Sequence, residues 1–329
     1  MRYGRDWAGL LAQFEALYAT TGRPSIPPEP LLKGQLLMAL YTVRSERLFR
    51  QMLDYNILFR WFLDMSLSDA RRDQSNFSRL RERLVSEDLV QRFFDATVRI
   101  AREKNLLSSE HLTVDGTLIG PWASAKSLKP KDAPPPPSDG RGGVDFRGRS
   151  RSSDTHGSTI DPEAMSARKG NGKEATKLCF GGHALMVNRH GLCLDIRVSS
   201  ALETEPAAAA APLGRQVRRR LRPSSLGTDK GYQSQTFVLF LRRRGILPHI
   251  AQIAGRNIPG LDARTTRHPS YWMSQKKRKR VEEILDRMKT YGGLRRTRFW
   301  GIERVPPHAH LVGTAYDLPR LSRLQPATG

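Results

Sequence analysis

Three acidic residues stand where their chemistry asks for an explanation. Asp115 lies inside HLTVDGTLI (111–119), among Leu112, Val114, Leu118 and Ile119. A carboxylate in such a strand is costly unless a partner offsets its desolvation. Asp229 ends the short apolar run SLGT and precedes Lys230-Gly231, where the chain must turn. Ligands of open α/β sheets collect outside the carboxyl ends of strands. Glu282 sits in a segment dense with cations, Lys276, Lys277, Arg278, Lys279 and Arg280. Taken singly, a strand-end Asp also serves as a turn residue or cap, and a helical Glu as a solvated partner of a nearby Arg. Glu283 competes with Glu282, and periodicity does not choose between them.

Together the three acids suit phosphodiester cleavage and transfer. That reaction needs an activated attacking oxygen and a stabilised leaving oxygen, which two divalent ions about 3.5–4 Å apart supply. Mg²⁺ favours carboxylate oxygens and water. Acids holding metal within an excess of cations that hold phosphate would reconcile the two kinds of charge.

The elements that must position these residues follow from pattern. Residues 5–107 read as helical, with Leu10, Leu11, Phe14 and Leu17 at helical spacing and a second face at Leu32, Leu36, Leu37 and Leu40. Further helices are predicted over 45–53, 58–65, 75–84 and 86–104. The last has Ser86 as N-cap and a stripe of Leu89, Val90, Phe93, Phe94, Thr97 and Ile100. From His111 the pattern becomes that of strands: 111–119, then LCFGGHALMV and LCLDIRV joined by a turn at 188–191. Between them, 128–173 is rich in Pro, Gly, Ser and charge and reads as a flexible insertion. A helix over 201–219, weakened by Pro206 and Pro212, precedes the strand ending at Asp229. Helix 235–244, strand 245–250 and one basic helix over 274–290 follow. This order predicts a mixed α/β sheet with crossover helices.

Composition limits the partners. The 329 residues carry 55 Lys+Arg against 32 Asp+Glu, a formal net charge of +23, so a polyanion is the default partner. Cys179 and Cys193 are the two cysteines, too few for a disulfide scaffold or a zinc site. They read as small buried hydrophobes in a reducing cytosol. The start, MRYGRDWAGLLAQF, lacks the apolar core of a signal peptide, and no apolar run approaches a membrane span. A cytoplasmic chain with no membrane partner is expected.

Several motifs in order resemble a known family: LTVDGTLIGPWASAKS, DPEAMSARK, LCFGGHALMVNRHGL, LGTDKGY, GILPHIAQ, TTRHPSYWMSQKKRKRVEEILDRMKTYGGLRRTRF and AYDLPRL. They are similar to bacterial insertion-sequence transposases of the DDE class, and more narrowly to the insertion-sequence-five group. PLLKGQLLMALYTVRSERLFRQMLDYNILFRWFLDMSL resembles that group's helical N-terminal domain. The likeness spans about residues 28–324. It implies a helical domain over 1–107 for binding DNA ends and assembly, then a ribonuclease-H-like catalytic domain over 108–325 containing the insertion at about 128–173.

The resemblance also implies roles. The family's aspartates fall on Asp115 and Asp229. Its glutamate stands four residues after an Arg and seven before a Lys; Arg278, Glu282 and Lys289 fit, which selects Glu282 over Glu283. On one helix these three would share a face. Mg²⁺ or Mn²⁺, as two ions, would be the cofactor, and double-stranded DNA at transposon ends and target the partner, with a homodimer pairing two ends. Departures from the family pattern occur at Gln275, Asp286, Arg287, Asp317 and Pro319, the last expected to break a terminal helix.

Basic clusters at 215–222, 242–244, 276–280 and 295–298 read as a surface tracking the DNA backbone, with Arg278, Lys289, Lys230, Lys276, Lys277, Arg280, Arg295 and Arg296 as the expected contacts. Trp122 and Tyr232 are candidates either for stacking on a base or for the core. His183 and His190 read as structural. A second functional reading stays open: a decayed or repurposed relative that binds DNA ends without cutting them.

Overall fold

The structure, a computed structural model, describes residues 28–69, 89–131, 153–168 and 176–324. The helix expected over 75–84, the Ser86 cap and the stripe at Leu10–Leu17 lie outside these residues.

The N-terminal part is helical: α1 (Pro28–Leu40), α2 (Glu46–Tyr55), α3 (Ile57–Phe62) and α4 (Leu89–Glu103). Ser45 starts α2 by accepting from the Leu48 amide at 3.1 Å, and Asn56 ends α2 and caps α3 through the Phe59 amide at 3.1 Å. These side chains satisfy amides that a helix start leaves without a carbonyl. The expected stripe of α4, from Leu89 to Ile100, is buried throughout.

The strands are β1 (His111–Ile119), β2 (Leu128–Pro130), β3 (His156–Ser158), β4 (Met165–Ala167), β5 (Lys177–Val187), β6 (Leu192–Ser200), β7 (Ser225–Thr228) and β8 (Leu247–Ile250). The main sheet runs β6–β5–β1–β7–β8. β6, β5 and β1 are antiparallel neighbours, whereas β1, β7 and β8 run parallel. A three-stranded antiparallel meander continued by parallel strands through helical crossovers is the mixed, ribonuclease-H-like sheet the sequence implied. Gly191, at φ +66, closes the β5–β6 turn, and its amide donates to Val187 O at 2.9 Å.

The segment read as a flexible insertion carries structure in its described parts. β2 pairs with β3, and β4 adds to the start of β5 through Lys177–Cys179.

The remaining helices are α5 (Glu205–Arg218), α6 (Gln235–Arg242), α7 (Ala263–Thr266), α8 (Pro269–Lys277), α9 (Val281–Thr290) and α10 (Val305–Leu324). Pro206 falls in the first turn of α5, where its missing N–H costs nothing.

Two expectations are corrected. The single basic helix over 274–290 is two helices, α8 and α9, joined by a 3-10 turn at Arg278–Arg280. The backbone stays right-handed through the join, but Arg278 and Glu282 do not lie on one uninterrupted α-helix. Pro319 does not end the last helix; it lies inside α10. Proline there costs roughly 3 kcal/mol. Tertiary packing offsets this, since Leu311, Val312, Ala315, Tyr316 and Leu321 are all buried, each large apolar side chain contributing about 1.5–3 kcal/mol.

α10 joins the two halves of the molecule. Its Leu311 and Ala315 complete the core of the N-terminal helices, while Ala309, Val312 and Tyr316 belong to the core around the sheet. No helix among the described residues is long and apolar enough to cross a membrane. Cys179 and Cys193 are buried and free, as expected.

Candidate active site

Parallel pairing between β1 and β7 brings the first two candidate residues together. Thr113 opposite Gly227 is the last pair of this ladder, and Asp115 and Asp229 each follow it by two residues along the two neighbouring chains. Neighbouring strands are about 4.8 Å apart. Both aspartates are half-buried. Asp115 Oδ1 accepts from the Gly116 amide at 2.7 Å. Asp229 ends β7 as the cap of a 3-10 turn, Lys230–Tyr232, and its Oδ1 accepts from the Gly231 amide at 2.9 Å. Each carboxylate is therefore oriented by a glycine that follows it closely.

α8 and α9 approach the same strands. A Cβ on Gly227 would lie 2.8 Å from Ser274 Oγ, 3.3 Å from Thr113 Oγ1 and 3.4 Å from Arg278 Cβ. The absent side chain lets α8 sit against β7 two residues before Asp229. Glu282 lies in the first turn of α9 and is exposed. Glu283 is paired with Arg320, whereas Glu282 has no side-chain partner among the described residues. Among the described residues, no three His, Cys, Asp or Glu side chains are arranged to hold a metal ion. Asp115 and Asp229 thus lie on neighbouring strands of one parallel pair, and no three acids that include them are arranged for metal among the described residues.

Sequence reading passed over Glu205, the first residue of α5. A Cβ on Gly116 would stand 3.4 Å from Glu205 Oε1, and one on Gly231 would overlap Glu205 Oε2. The available signal was Thr204-Glu205-Pro206, a helix-start pattern that places an acid in the first turn. Which strands that turn would reach was not legible. Tyr232, offered as a stacking residue or a core residue, is completely buried and belongs to the core. Its hydroxyl has no hydrogen-bond partner. Burial, and then the negative charges of Asp115, Glu205 and Asp229, push its pKa well above the usual tyrosine range. Trp122 is exposed. His183 is buried with its ring against Gly116 and Gly181.

The expected cations divide into two groups. Lys230, beside Asp229, and Lys276 and Lys277, on α8, are exposed. Arg278 is half-buried; its Nε donates to Gln275 Oε1 at 2.9 Å, and Gln275 Nε2 donates to His249 O. Gln275 therefore ties Arg278 to β8. Arg280 donates to the carbonyls of Asn188 and Arg189, each at 2.8 Å, and Arg296 to those of Pro121 and Trp122. Both brace the fold. Lys289, Arg295 and Arg296 line a cleft of about 580 Å³ together with Arg44 and Arg298, between α1 and the segment after α9. Some of the other clustered cations are engaged by the protein itself: Arg215 by Asp195, Arg219 by Asp95 and Arg242 by the Gly260 carbonyl.

The family model described as Transposase DDE domain matches residues 148–318, just over half of the 329-residue chain. The chain belongs to the DDE transposase family. A second model, Transposase domain (DUF772), matches residues 3–83. Asp229 and Glu282 fall within the DDE match, and Asp115 lies between the two matched segments. Among solved structures, this transposase is similar to the piggyBac transposase synaptic complex with hairpin DNA, at 13% identity and a TM-score of 0.44, over 95% of this chain and 71% of that one. A pre-cleavage Mos1 transpososome is similar at 11% identity and a TM-score of 0.23, over 88% of this chain and 86% of that one. No curated protein matches the sequence.

Proposed function

We propose that this DDE transposase cuts DNA and transfers strands at the inverted-repeat ends of an insertion sequence, with Asp115, Asp229 and Glu282 holding Mg²⁺ or Mn²⁺ as two ions. The observation that supports the reading is the parallel pairing of β1 with β7, beyond whose last pair, Thr113 and Gly227, Asp115 and Asp229 each stand by two residues. Their oxygens are the hard donors such ions prefer. When bound, the ions supply charge neutralisation at the attacking and leaving oxygens.

The chain's own part is to hold DNA in place. Lys230 stands next to Asp229, and Lys276, Lys277 and Arg278 lie on the segment that packs against β7. Contacts of this kind grip phosphates without reading sequence and weaken as salt rises. Lys289, Arg295 and Arg296 extend the basic surface along the cleft beside α1. In this reading residues 1–107 recognise the ends and support assembly, residues 108–325 cut, two copies pair two ends, and the protein works in the bacterial cytoplasm.

The alternative, binding without catalysis, draws on the lack of a group of three acids arranged for metal among the described residues. One assay decides between them. Duplexes from the DNA flanking the gene are incubated with wild type and Asp229→Asn in Mg²⁺ and in Mn²⁺. The proposal expects nicking by the wild type, its loss in the variant, and binding by both. Binding without nicking by the wild type would establish the alternative.

A further inference from the structure

We propose that the surface between α4 and the far end of α5 holds duplex DNA, as a second contact separate from the one beside Asp229. The inference rests on the proposed reading of this chain as an enzyme that cuts DNA near Asp115 and Asp229.

The first observation is placement. The first residue of α5, Glu205, lies near Gly116 and Gly231. The other end of α5 lies by the start of β1, where Val217 and Arg218 line a groove with Ser109. A helix of 14 residues puts roughly 20 Å between these ends. Lys230, beside Asp229, and Arg295, whose carbonyl accepts from the Gly120 amide after β1, lie away from this groove. The basic cluster at 215–222 therefore forms a surface of its own.

The second observation is the make-up of that surface. Arg92, Arg99 and Arg102 of α4 and Arg218, Arg220 and Arg222 around the end of α5 are all exposed. They line two adjoining grooves, linked where Arg102 Nη1 donates to Arg219 O at 2.9 Å. Among the described residues the one acid in either lining is Asp95, and Arg219 already holds both its oxygens at 2.8 Å. Arg92, Arg99 and Arg102 are seven and three residues apart and so share a face. They span about 15 Å, the axial rise of about four phosphates on one strand. No aromatic ring among the described residues lines the grooves, so they offer charge for phosphates and no platform for unpaired bases. That combination fits a duplex. Compensation of helix dipoles accounts for Arg102 and Arg218, which lie in last turns, but not for Arg92, Arg99 or Arg222.

The third observation is strain. Arg220 has φ +62. It closes α5 with its amide on Val217 O at 3.0 Å and that of Leu221 on Gln216 O at 2.9 Å. Glycine is the usual residue in this left-handed position, and a side chain is disfavoured there. An arginine kept where glycine fits better points to a use for its charge.

The test uses the full-length protein saturated with an unlabelled duplex from the DNA flanking the gene. A labelled random-sequence duplex is then titrated in, by fluorescence anisotropy over a salt series. The triple variant Arg99→Gln, Arg218→Gln, Arg222→Gln is expected to weaken its uptake at least tenfold. The slope of log affinity against log salt should become shallower by about two to three. Arg220→Gly should weaken uptake severalfold while the melting temperature holds or rises, so misfolding cannot explain that loss. If the wild type takes up no second duplex, but binds the flanking duplex at least tenfold more tightly than the triple variant does, the surface holds a continuation of that same duplex. Wild-type affinity and salt slope for the triple variant in both titrations overturn the proposal. Loss in the triple variant with none in Lys230→Gln overturns instead the DNA contact beside Asp229, and leaves this surface standing.

Discussion

Acids gather at two places on this sheet, and the protein treats them differently. Beside β6, Asp195 is buried and held by two nitrogens of Arg215 and by Gln216. Close by, Asp317 of α10 is fully buried, accepts from the Cys193 amide at 2.9 Å, and is held well above the usual carboxylate range by burial. In both cases the chain itself cancels or neutralises the charge. In the middle of β1 and just after β7, Asp115 and Asp229 stay half-buried, oriented by the amides of glycines that follow them, with Glu205 near both glycines. The contrast separates acids whose charge the fold itself cancels from the acids that the proposed function assigns to metal.

The sharpest way to break this contrast is to neutralise one acid in each place. Asp229→Asn is expected to lower nicking on the order of 100-fold or more, equivalent to roughly 2.7 kcal/mol at the barrier, while thermal stability holds or rises. A gel assay on end duplexes and a melting curve check both halves. Near β6 the order reverses: Arg215→Ala, which strands Asp195, is expected to destabilise by about 1–3 kcal/mol in urea unfolding. That lies below the full buried-pair range, because the Arg215 side chain is 36% exposed. Its effect on nicking should follow stability alone.

Asp317→Asn sharpens the comparison through pH. The folded chain keeps the Asp317 proton at pH values where the unfolded chain, with a carboxylate near about 3.9, has lost it. The stability this group contributes is therefore intact below that value and declines as pH rises towards the folded-state value. The amide removes this decline, so the variant's melting temperature should exceed the wild type's by a margin that widens from pH 4 to pH 8. A constant margin would mean that Asp317 is not the titrating group. The smallest effect is expected from Glu283→Gln. Losing its exposed pairing with Arg320 should change stability by less than about 0.5 kcal/mol and leave nicking unchanged, whereas Glu282→Gln should abolish nicking. Equal loss in both variants would remove the distinction drawn between the two neighbours.

What the sequence could show follows from how each feature is encoded. Apolar alternation over nine to eleven residues located β1, β5 and β6, and the strand-end position of Asp229 was legible because a turn signal follows at once. Stretches of three residues carry no periodicity, so β2, β3 and β4 were hidden in a segment whose composition reads as loop. Pro319 within α10 and the 3-10 turn at 278–280 reflect packing between distant elements, which local propensity does not contain. The site divides in the same way. The strand pattern showed the elements that carry Asp115 and Asp229, while the position of Glu205 depends on α5 docking across two glycines more than twenty residues away in one direction and far upstream in the other.

The central claim is that Asp115 of β1 and Asp229, just after β7, hold divalent metal. The most direct measurement is an anomalous difference map from crystals of the full chain with an end duplex and Mn²⁺. The account predicts manganese peaks coordinated by both Asp115 and Asp229, with Glu282 drawn in as a ligand. Strong peaks elsewhere, with the two aspartates bound only to water or to side chains of the protein, would contradict it.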